Sequence, residues 1–149
     1  MKRLFYLLAA AAFTACGSAT TLSVMTFNMR YDNPEDGADN WRFRRGRVAE
    51  VIASHGVDVF GTQELLANQL GDLKRLLPGY AAVGVGREDG AEAGEFSAVF
   101  YRRDRFTPLE SGTFWLSETP DVAGSKGWDG ACERVATWVV LHDREGGRE

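Results

Sequence analysis

The fold is decided by residues 22–64, in which two short apolar runs flank a helix-forming segment. Residues 22–30 read LSVMTFNMR and residues 57–64 read VDVFGTQE. The two runs end in the polar residues Asn28 and Glu64. A strand–helix–strand unit nearly always makes a right-handed crossover, so its two strands are parallel and end at the same edge of the sheet. We therefore expect Asn28 and Glu64 to meet at that edge, where open α/β sheets bind their ligands.

An amide oxygen and a carboxylate are ligands that suit a hard divalent cation. Asn28 and Glu64 therefore predict a site for Mg²⁺ or Mn²⁺ at this edge of the sheet. The alternative interpretation is structural, with Asn28 as a helix cap and Glu64 as a solvated acid at a strand end. The spacing alone leaves both interpretations open.

The composition is that of an ordinary soluble domain. The chain has 149 residues, of which 44% are hydrophobic and 26% are charged. The net charge of −4 gives no basic surplus for sequence-independent binding of nucleic acid, although it does not exclude a local basic patch. With two cysteines and two histidines, neither a disulfide framework nor a zinc site is expected, and nothing indicates a protein partner.

Residues 1–19 have the pattern of a secretory signal. Lys2 and Arg3 precede an apolar stretch at residues 4–13, and small residues follow it. The segment FTAC at residues 13–16 also resembles a bacterial lipoprotein box, which makes Cys16 a candidate for lipidation. We expect an exported protein that is periplasmic, extracellular or membrane-anchored, and that contacts a membrane only through this lipid.

Hydrophobic periodicity divides the remainder into alternating strands and helices. Asp39 or Asn40 is the expected cap of the first helix. The long loop at residues 117–130 is typical of a functional or mobile segment. Strands are predicted at residues 21–28, 57–62, 80–85, 96–101, 106–110, 113–116 and 135–141; helices are predicted at residues 41–54 and 65–77.

Two groups of side chains allow more than one role. The arginines of the first helix favour a solvated helix face over phosphate binding. The tryptophans after residue 110 favour packing over base stacking. These residues are Arg42, Arg44, Arg45 and Arg47, and Trp115, Trp128 and Trp138.

An ordered set of short motifs resembles the endonuclease/exonuclease/phosphatase family, especially its exported bacterial branch. The likeness is strongest in TFNMR at residues 26–30 and GTQE at residues 61–64. It continues through NWR at 40–42, GEFS at 94–97, FYR at 100–102, SGTFWLS at 111–117 and RVATW at 134–138. Each motif is weak alone, but the ordered set is specific.

The resemblance implies an α/β (α+β) fold, a four-layer sandwich of two mixed sheets with helices outside. It also implies that Glu64 binds Mg²⁺ or Mn²⁺ and that Asn28 lies beside the metal and the scissile phosphate. Arg30 and Arg134 match arginines that contact substrate phosphates, and Glu95 matches an acid that orients a catalytic histidine. The structural alternatives are an exposed strand residue for Arg134 and a charge that protects a sheet edge for Glu95.

The family's downstream Asn-Thr-His, Gly-Asp-x-Asn and Ser-Asp-His segments are not found in this sequence. We therefore expect residues 20–149 to be the N-terminal part of such a domain, with the C-terminal half missing and little activity by itself. The predicted function is hydrolysis of phosphate esters by a metal-dependent phosphoesterase. The alternative is a catalytically inactive exported module that binds a phosphate ligand. Nucleic acid, phospholipid, sugar phosphate and phosphoinositide all remain open as substrates.

Overall fold

The computed structural model of the chain describes residues 20–149, which form two β-sheets and two α-helices. The mixed α/β class predicted from the sequence is confirmed. The predicted signal segment and Cys16 lie outside the described residues. No described helix combines the length and the apolar character that crossing a bilayer requires.

The first strand–helix–strand unit has the predicted parallel arrangement. Strand β1 (Val24–Asn28) and strand β2 (Val59–Gln63) are adjacent and parallel, and helix α1 (Trp41–Ser54) connects them. The Asn40 side chain caps α1 by accepting a hydrogen bond from the Arg42 backbone N–H at 3.2 Å. This contact settles the choice of cap in favour of Asn40.

Strand β1 lies at the edge of the described sheet and is only partly buried. Every second residue of the strand is exposed, and Val24 has 66% of its surface accessible. The four-stranded sheet has the order β1-β2-β4-β3, with β3 (Tyr80–Val83) and β4 (Val99–Arg102) antiparallel to their neighbours. An apolar run therefore identified the strand but not its position in the sheet.

The main core lies on the face of this sheet that packs against α1 and helix α2 (Ala67–Leu76). Phe60 and Phe100 are opposite each other in register, and their rings stack with centroids 4.6 Å apart. The two helices are joined by a buried hydrogen bond of 2.8 Å from Trp41 Nε1 to Asp72 Oδ2. The buried members of the cluster are Met29, Trp41, Val48, Ala49, Ile52, Val57, Phe60, Leu65, Leu73, Leu77, Phe96, Ala98 and Phe100.

The second sheet pairs β5 (Phe106–Trp115) with β6 (Val135–Asp143) in antiparallel register. The two short strands predicted at residues 106–110 and 113–116 are one continuous strand. The register shifts between Pro108 and Glu110, which is a β-bulge at the residue that cannot donate to the ladder. The residues between the two predicted strands, Ser111 and Gly112, pair with Val139 and Trp138 in the ladder.

Arg105 joins the two sheets through a nearly buried cluster of charges. Its Nη1 donates to Asp58 Oδ2 at 2.8 Å, and its Nη2 donates to Asp143 Oδ2 at 2.7 Å. Asp58 precedes β2 in the first sheet, whereas Asp143 ends β6 in the second. Because Arg105 is only 4% exposed, these interactions are little screened by solvent.

Candidate functional site

Asn28 and Glu64 meet at the edge of the first sheet, as the sequence predicted. Asn28 is paired in register with Gln63, so Glu64 lies one residue beyond that pair. The Asn28 Nδ2 group donates a hydrogen bond of 2.9 Å to Glu64 Oε1. The Asn28 Oδ1 atom accepts a hydrogen bond of 2.8 Å from the Arg30 backbone N–H. These two contacts fix the amide and orient the carboxylate.

The chain leaves both strands through residues in the left-handed region of backbone space. Arg30 has φ of 53° and Glu64 has φ of 56°. This conformation is uncommon for residues other than glycine, and it persists where surrounding contacts hold it. The Arg30 carbonyl accepts hydrogen bonds from Arg44 Nη2 at 2.6 Å and from Gln69 Nε2 at 2.9 Å. The strained turn after β1 is therefore held from both helices.

Arg44 and Arg45 are not simply solvated, which corrects the prediction for this face of α1. Arg44 donates to the carbonyl oxygens of Met29, Arg30 and Asp39 at 2.6 to 2.7 Å. Arg45 forms an ion pair of 3.2 Å with the buried Asp72. The first arginine fixes the loop beside Asn28, and the second joins α1 to α2.

A cleft of about 190 Å³ opens at this edge of the sheet. It brings together four of the five predicted site residues within the described part of the chain: Asn28, Glu64, Glu95 and Arg134. The exposed Arg134 lies at the start of β6, so the second sheet supplies one wall. The lining residues are Asn28, Gln63, Glu64, Arg87, Glu95, Ser97, Arg134 and Val135.

Arg30 faces a neighbouring open depression instead, which it lines with Asp36, Asp39 and Arg44. Its guanidinium forms a two-point ion pair with Asp36, at 3.1 Å from Nε to Oδ2 and at 2.9 Å from Nη2 to Oδ1. The hydrogen bonds from Arg30 hold the pKa of Asp36 below its usual range. Asp36 lies in a 3-10 helix (Pro34–Asp39) between β1 and α1. The prediction that Arg30 binds phosphate therefore requires this ion pair to open.

Glu95 pairs with a residue that sequence reasoning missed. Arg87 Nη1 donates to Glu95 Oε2 at 2.7 Å, and both side chains are largely buried. Arg87 opens an acidic, glycine-rich segment at residues 87–94 that has no helical or strand periodicity. The only sequence signal was an arginine eight residues before the glutamate, a separation that predicts no contact by itself.

The tryptophans divide between packing and exposure. Trp115 is buried, and its indole N–H donates to the Arg87 carbonyl oxygen at 2.6 Å. Trp128 is 66% exposed, so the prediction that it packs was wrong. Trp128 and the adjacent Asp129 both have positive φ, at 50° and 60°.

The described residues do not enclose a metal site by themselves. No group of three or more His, Cys, Asp or Glu side chains capable of enclosing a metal is found among them. Glu64 offers one carboxylate, whose Oε1 is fixed by Asn28. This donor set fits Mg²⁺ or Mn²⁺ better than zinc, because Mg²⁺ sites use one or two carboxylates and complete the coordination with water and phosphate oxygens.

Comparison with known proteins identifies the family. The model of the endonuclease/exonuclease/phosphatase family matches residues 25–147. A family member from Bacteroides vulgatus is 50% identical, with a TM-score of 0.81, over 82% of this chain and 47% of that chain. One from Bacteroides thetaiotaomicron is 47% identical, with a TM-score of 0.83, over 86% of this chain and 47% of that chain.

A mannosyl-6-phosphatase from Bacteroides thetaiotaomicron is 46% identical, with a TM-score of 0.83, over 85% of this chain and 48% of that chain. No match was found among curated proteins. The chain thus spans about half the length of these solved structures. The family match at residues 25–147 includes all the residues that line the cleft. The chain belongs to the endonuclease/exonuclease/phosphatase family.

Proposed function

We propose that the protein containing this chain is a divalent-metal-dependent phosphoesterase. The observation that carries the proposal is the cleft in which Asn28, Glu64 and Arg134 lie together at the ends of strands from two sheets. A carboxylate for a cation and an arginine for an anion, at one site, are the groups that phosphate ester hydrolysis requires. Family membership supports the same reaction class.

Glu64 is the residue that would hold Mg²⁺ or Mn²⁺. The bound cation would neutralise the negative charge that develops on the phosphate oxygens. Asn28 fixes the orientation of the Glu64 carboxylate through the hydrogen bond of 2.9 Å. Partners of this kind set how well a carboxylate binds a metal.

The arginines act on the phosphate group. Arg134 is exposed at the cleft, and its planar guanidinium can donate two parallel hydrogen bonds to a phosphate. Arg30 would join it once its ion pair with Asp36 opens. Glu95 would orient a catalytic histidine contributed from elsewhere, because neither of the chain's two histidines lines the cleft.

A sugar phosphate is the substrate class that we favour. The similarity to a mannosyl-6-phosphatase at 46% identity supports this choice. The net charge of −4 also gives no basic surface for a long polynucleotide. The alternative function is an inactive module that binds a phosphate ligand with the same residues.

We also propose that the protein is exported, on the pattern of residues 1–19. Labelling cells with a lipid precursor tests whether Cys16 is lipidated. Labelling that disappears in Cys16→Ser supports a lipid anchor. Unchanged labelling and unchanged membrane fractionation would leave export without an anchor.

Hydrolysis assays test the main proposal. The purified protein that contains this chain should release phosphate from mannose 6-phosphate in the presence of Mg²⁺, and EDTA should abolish the release. A diester such as bis-p-nitrophenyl phosphate should react more slowly. Phosphate binding without release from either substrate would favour the inactive module.

A further inference from the structure

Arg87 lies in the cleft but has no role in the function proposed above. Its backbone N–H donates to the Glu95 carbonyl at 3.2 Å, and its carbonyl accepts from Trp115 Nε1 at 2.6 Å. Its side chain is 16% exposed. Arg87 is therefore fixed to its own loop by Glu95 and to the second sheet by Trp115.

The loop that carries Arg87 is closed on itself, so the guanidinium is presented from a defined backbone. Asp89 Oδ1 accepts hydrogen bonds from the backbone N–H groups of Ala91 and Ala93 at 2.8 and 2.9 Å. These contacts lower the pKa of Asp89 from its usual range. A Cβ atom at Gly86 would lie 2.3 Å from the Ala93 carbonyl oxygen. The backbone at residue 86 therefore approaches the backbone at Ala93 so closely that only glycine fits there.

The guanidinium is held towards Glu95 with one donor unsatisfied. Nη1 donates to Glu95 Oε2 at 2.7 Å, whereas the buried Nε has no hydrogen-bond partner among the described residues. Buried donors are nearly always paired, so this guanidinium does not complete a hydrogen-bond network, and its ion pair with Glu95 is the side-chain interaction that remains.

Without Arg87, the cleft would oppose an anion. Glu64 and Glu95 are two carboxylates on one cleft, and a phosphate group entering it meets both. The cleft is little open to solvent at Glu95, which is 24% exposed, so these charges are only partly screened. Arg87 cancels the charge of Glu95 and leaves the charge of Glu64 for a cation.

We propose that Arg87 is a positioning residue that neutralises and orients Glu95 so that the cleft admits a phosphate group. The inference rests on the proposed function for the location of the phosphate. It adds a third arginine to the site, one that acts through Glu95 rather than on the phosphate itself. Removing the Arg87 guanidinium would leave the negative charge of Glu95 without a partner in the cleft.

The test is binding of inorganic phosphate to the purified protein in EDTA, measured by calorimetry. Arg87→Met should weaken binding about tenfold, because Glu95 then repels the anion. Arg87→Lys should stay within about threefold of the original protein, since it keeps the charge. The double variant Arg87→Met/Glu95→Gln should regain affinity, because both charges are gone. Arg47→Met, on the exposed face of α1, is the matched control and should bind unchanged.

Several results would overturn the inference: no phosphate binding by the original protein, unchanged binding by Arg87→Met, or a double variant as weak as Arg87→Met. The recovery expected of the double variant also separates an effect on charge from a failure to fold. Hydrolysis is measured separately. If the original protein hydrolyses a sugar phosphate but its Arg87→Met variant binds phosphate with unchanged affinity, the inference about Arg87 fails and the proposed function stands. If the variants show the expected binding pattern but the original protein hydrolyses no sugar phosphate, the inference about Arg87 stands and the proposed function fails.

Discussion

Asn28 and Glu64, which are 36 positions apart in the sequence, are joined by a hydrogen bond of 2.9 Å from Nδ2 to Oε1. The bond exists because two parallel strands end at the same level, and because the next residues turn sharply away. It gives Glu64 a fixed orientation before any ligand arrives. Preorganised groups of this kind lower the cost of stabilising charge in a transition state.

The first prediction concerns the carboxylate. Glu64→Gln should reduce Mg²⁺-supported hydrolysis by roughly a hundred- to thousandfold, as expected for loss of one key electrostatic group. Steady-state assays on mannose 6-phosphate measure the change. Glu50→Gln, at an exposed position of α1, is the control and should retain full activity. Equal activity of the two variants would show that Glu64 has no role in hydrolysis.

The second prediction concerns the amide that orients this carboxylate. Asn28→Ala removes the hydrogen bonds to Glu64 and to the Arg30 backbone, and should lower activity or metal affinity about ten- to a hundredfold. A Mg²⁺ titration of the activity measures both quantities. Glu50→Ala, at an exposed position of α1, is the control and should change neither. An Asn28→Ala protein with the original Mg²⁺ dependence would show that the hydrogen bond is only structural.

The third prediction concerns the ion pair between Arg30 and Asp36. Asp36→Asn should free the guanidinium and lower KM for a sugar phosphate by about two- to fivefold, a modest effect because Arg30 is half-exposed. The matched control is Glu35→Gln, the exposed acid next to it. An unchanged KM in Asp36→Asn, together with an unchanged KM in Arg30→Met, would exclude Arg30 from substrate binding.

The fourth prediction is a loss of stability in acid. Hydrogen bonds from Arg105 lower the pKa of Asp143 from 3.8 to about 2. The folded state therefore binds this proton less readily than the unfolded state. The resulting stabilisation is complete above pH 3.8 and is lost as the pH falls from 3.8 towards about 2.

Urea unfolding followed by circular dichroism between pH 5 and pH 2 measures this loss. Asp143→Asn should be less stable at pH 5 and should lose less stability on acidification. Asp121→Asn, in the exposed part of the loop after β5, should follow the original curve. Parallel curves for the Asp143→Asn and original proteins would show that this carboxylate does not contribute.

The fifth prediction concerns the cluster that joins the sheets. Arg105→Met leaves Asp58 buried without its main partner and should lower the free energy of unfolding by about 3 kcal/mol. Asp58 keeps the Ser23 N–H at 2.8 Å and a longer contact to Arg102, so the loss is not larger. Thermal and urea unfolding measure the change, with Arg47→Met as the exposed control. Equal stability of the two variants would contradict the inferred role of Arg105.

Much of the fold could be predicted because it follows from local patterns. The apolar face of α1, its Asn40 cap and the parallel β1–α1–β2 unit are all properties of contiguous residues. The same patterns placed Asn28 beside Glu64 through topology alone. They could not show that β1 is an edge strand, because strand order depends on which strands lie beside it.

The errors share a physical cause. The strands predicted at residues 106–110 and 113–116 are one strand, β5, which continues through the bulge after Pro108. No spacing in the sequence predicts the contacts of Arg87, Arg44 and Asp36, because their partners lie on other segments of the chain. Arg30 follows β1 as predicted, but its guanidinium pairs with Asp36, a contact that the sequence did not predict.

The cluster around Arg105 also bears on how fast the protein unfolds. Its hydrogen bonds span 38 positions to Asp143, 47 to Asp58 and 84 to the Thr21 carbonyl. Contacts between such distant segments form only after long loops have closed, so they belong to the late side of the folding barrier. Interactions made after the transition state slow unfolding without speeding folding. Arg105 should therefore determine the lifetime of the folded state more than the rate at which that state is reached.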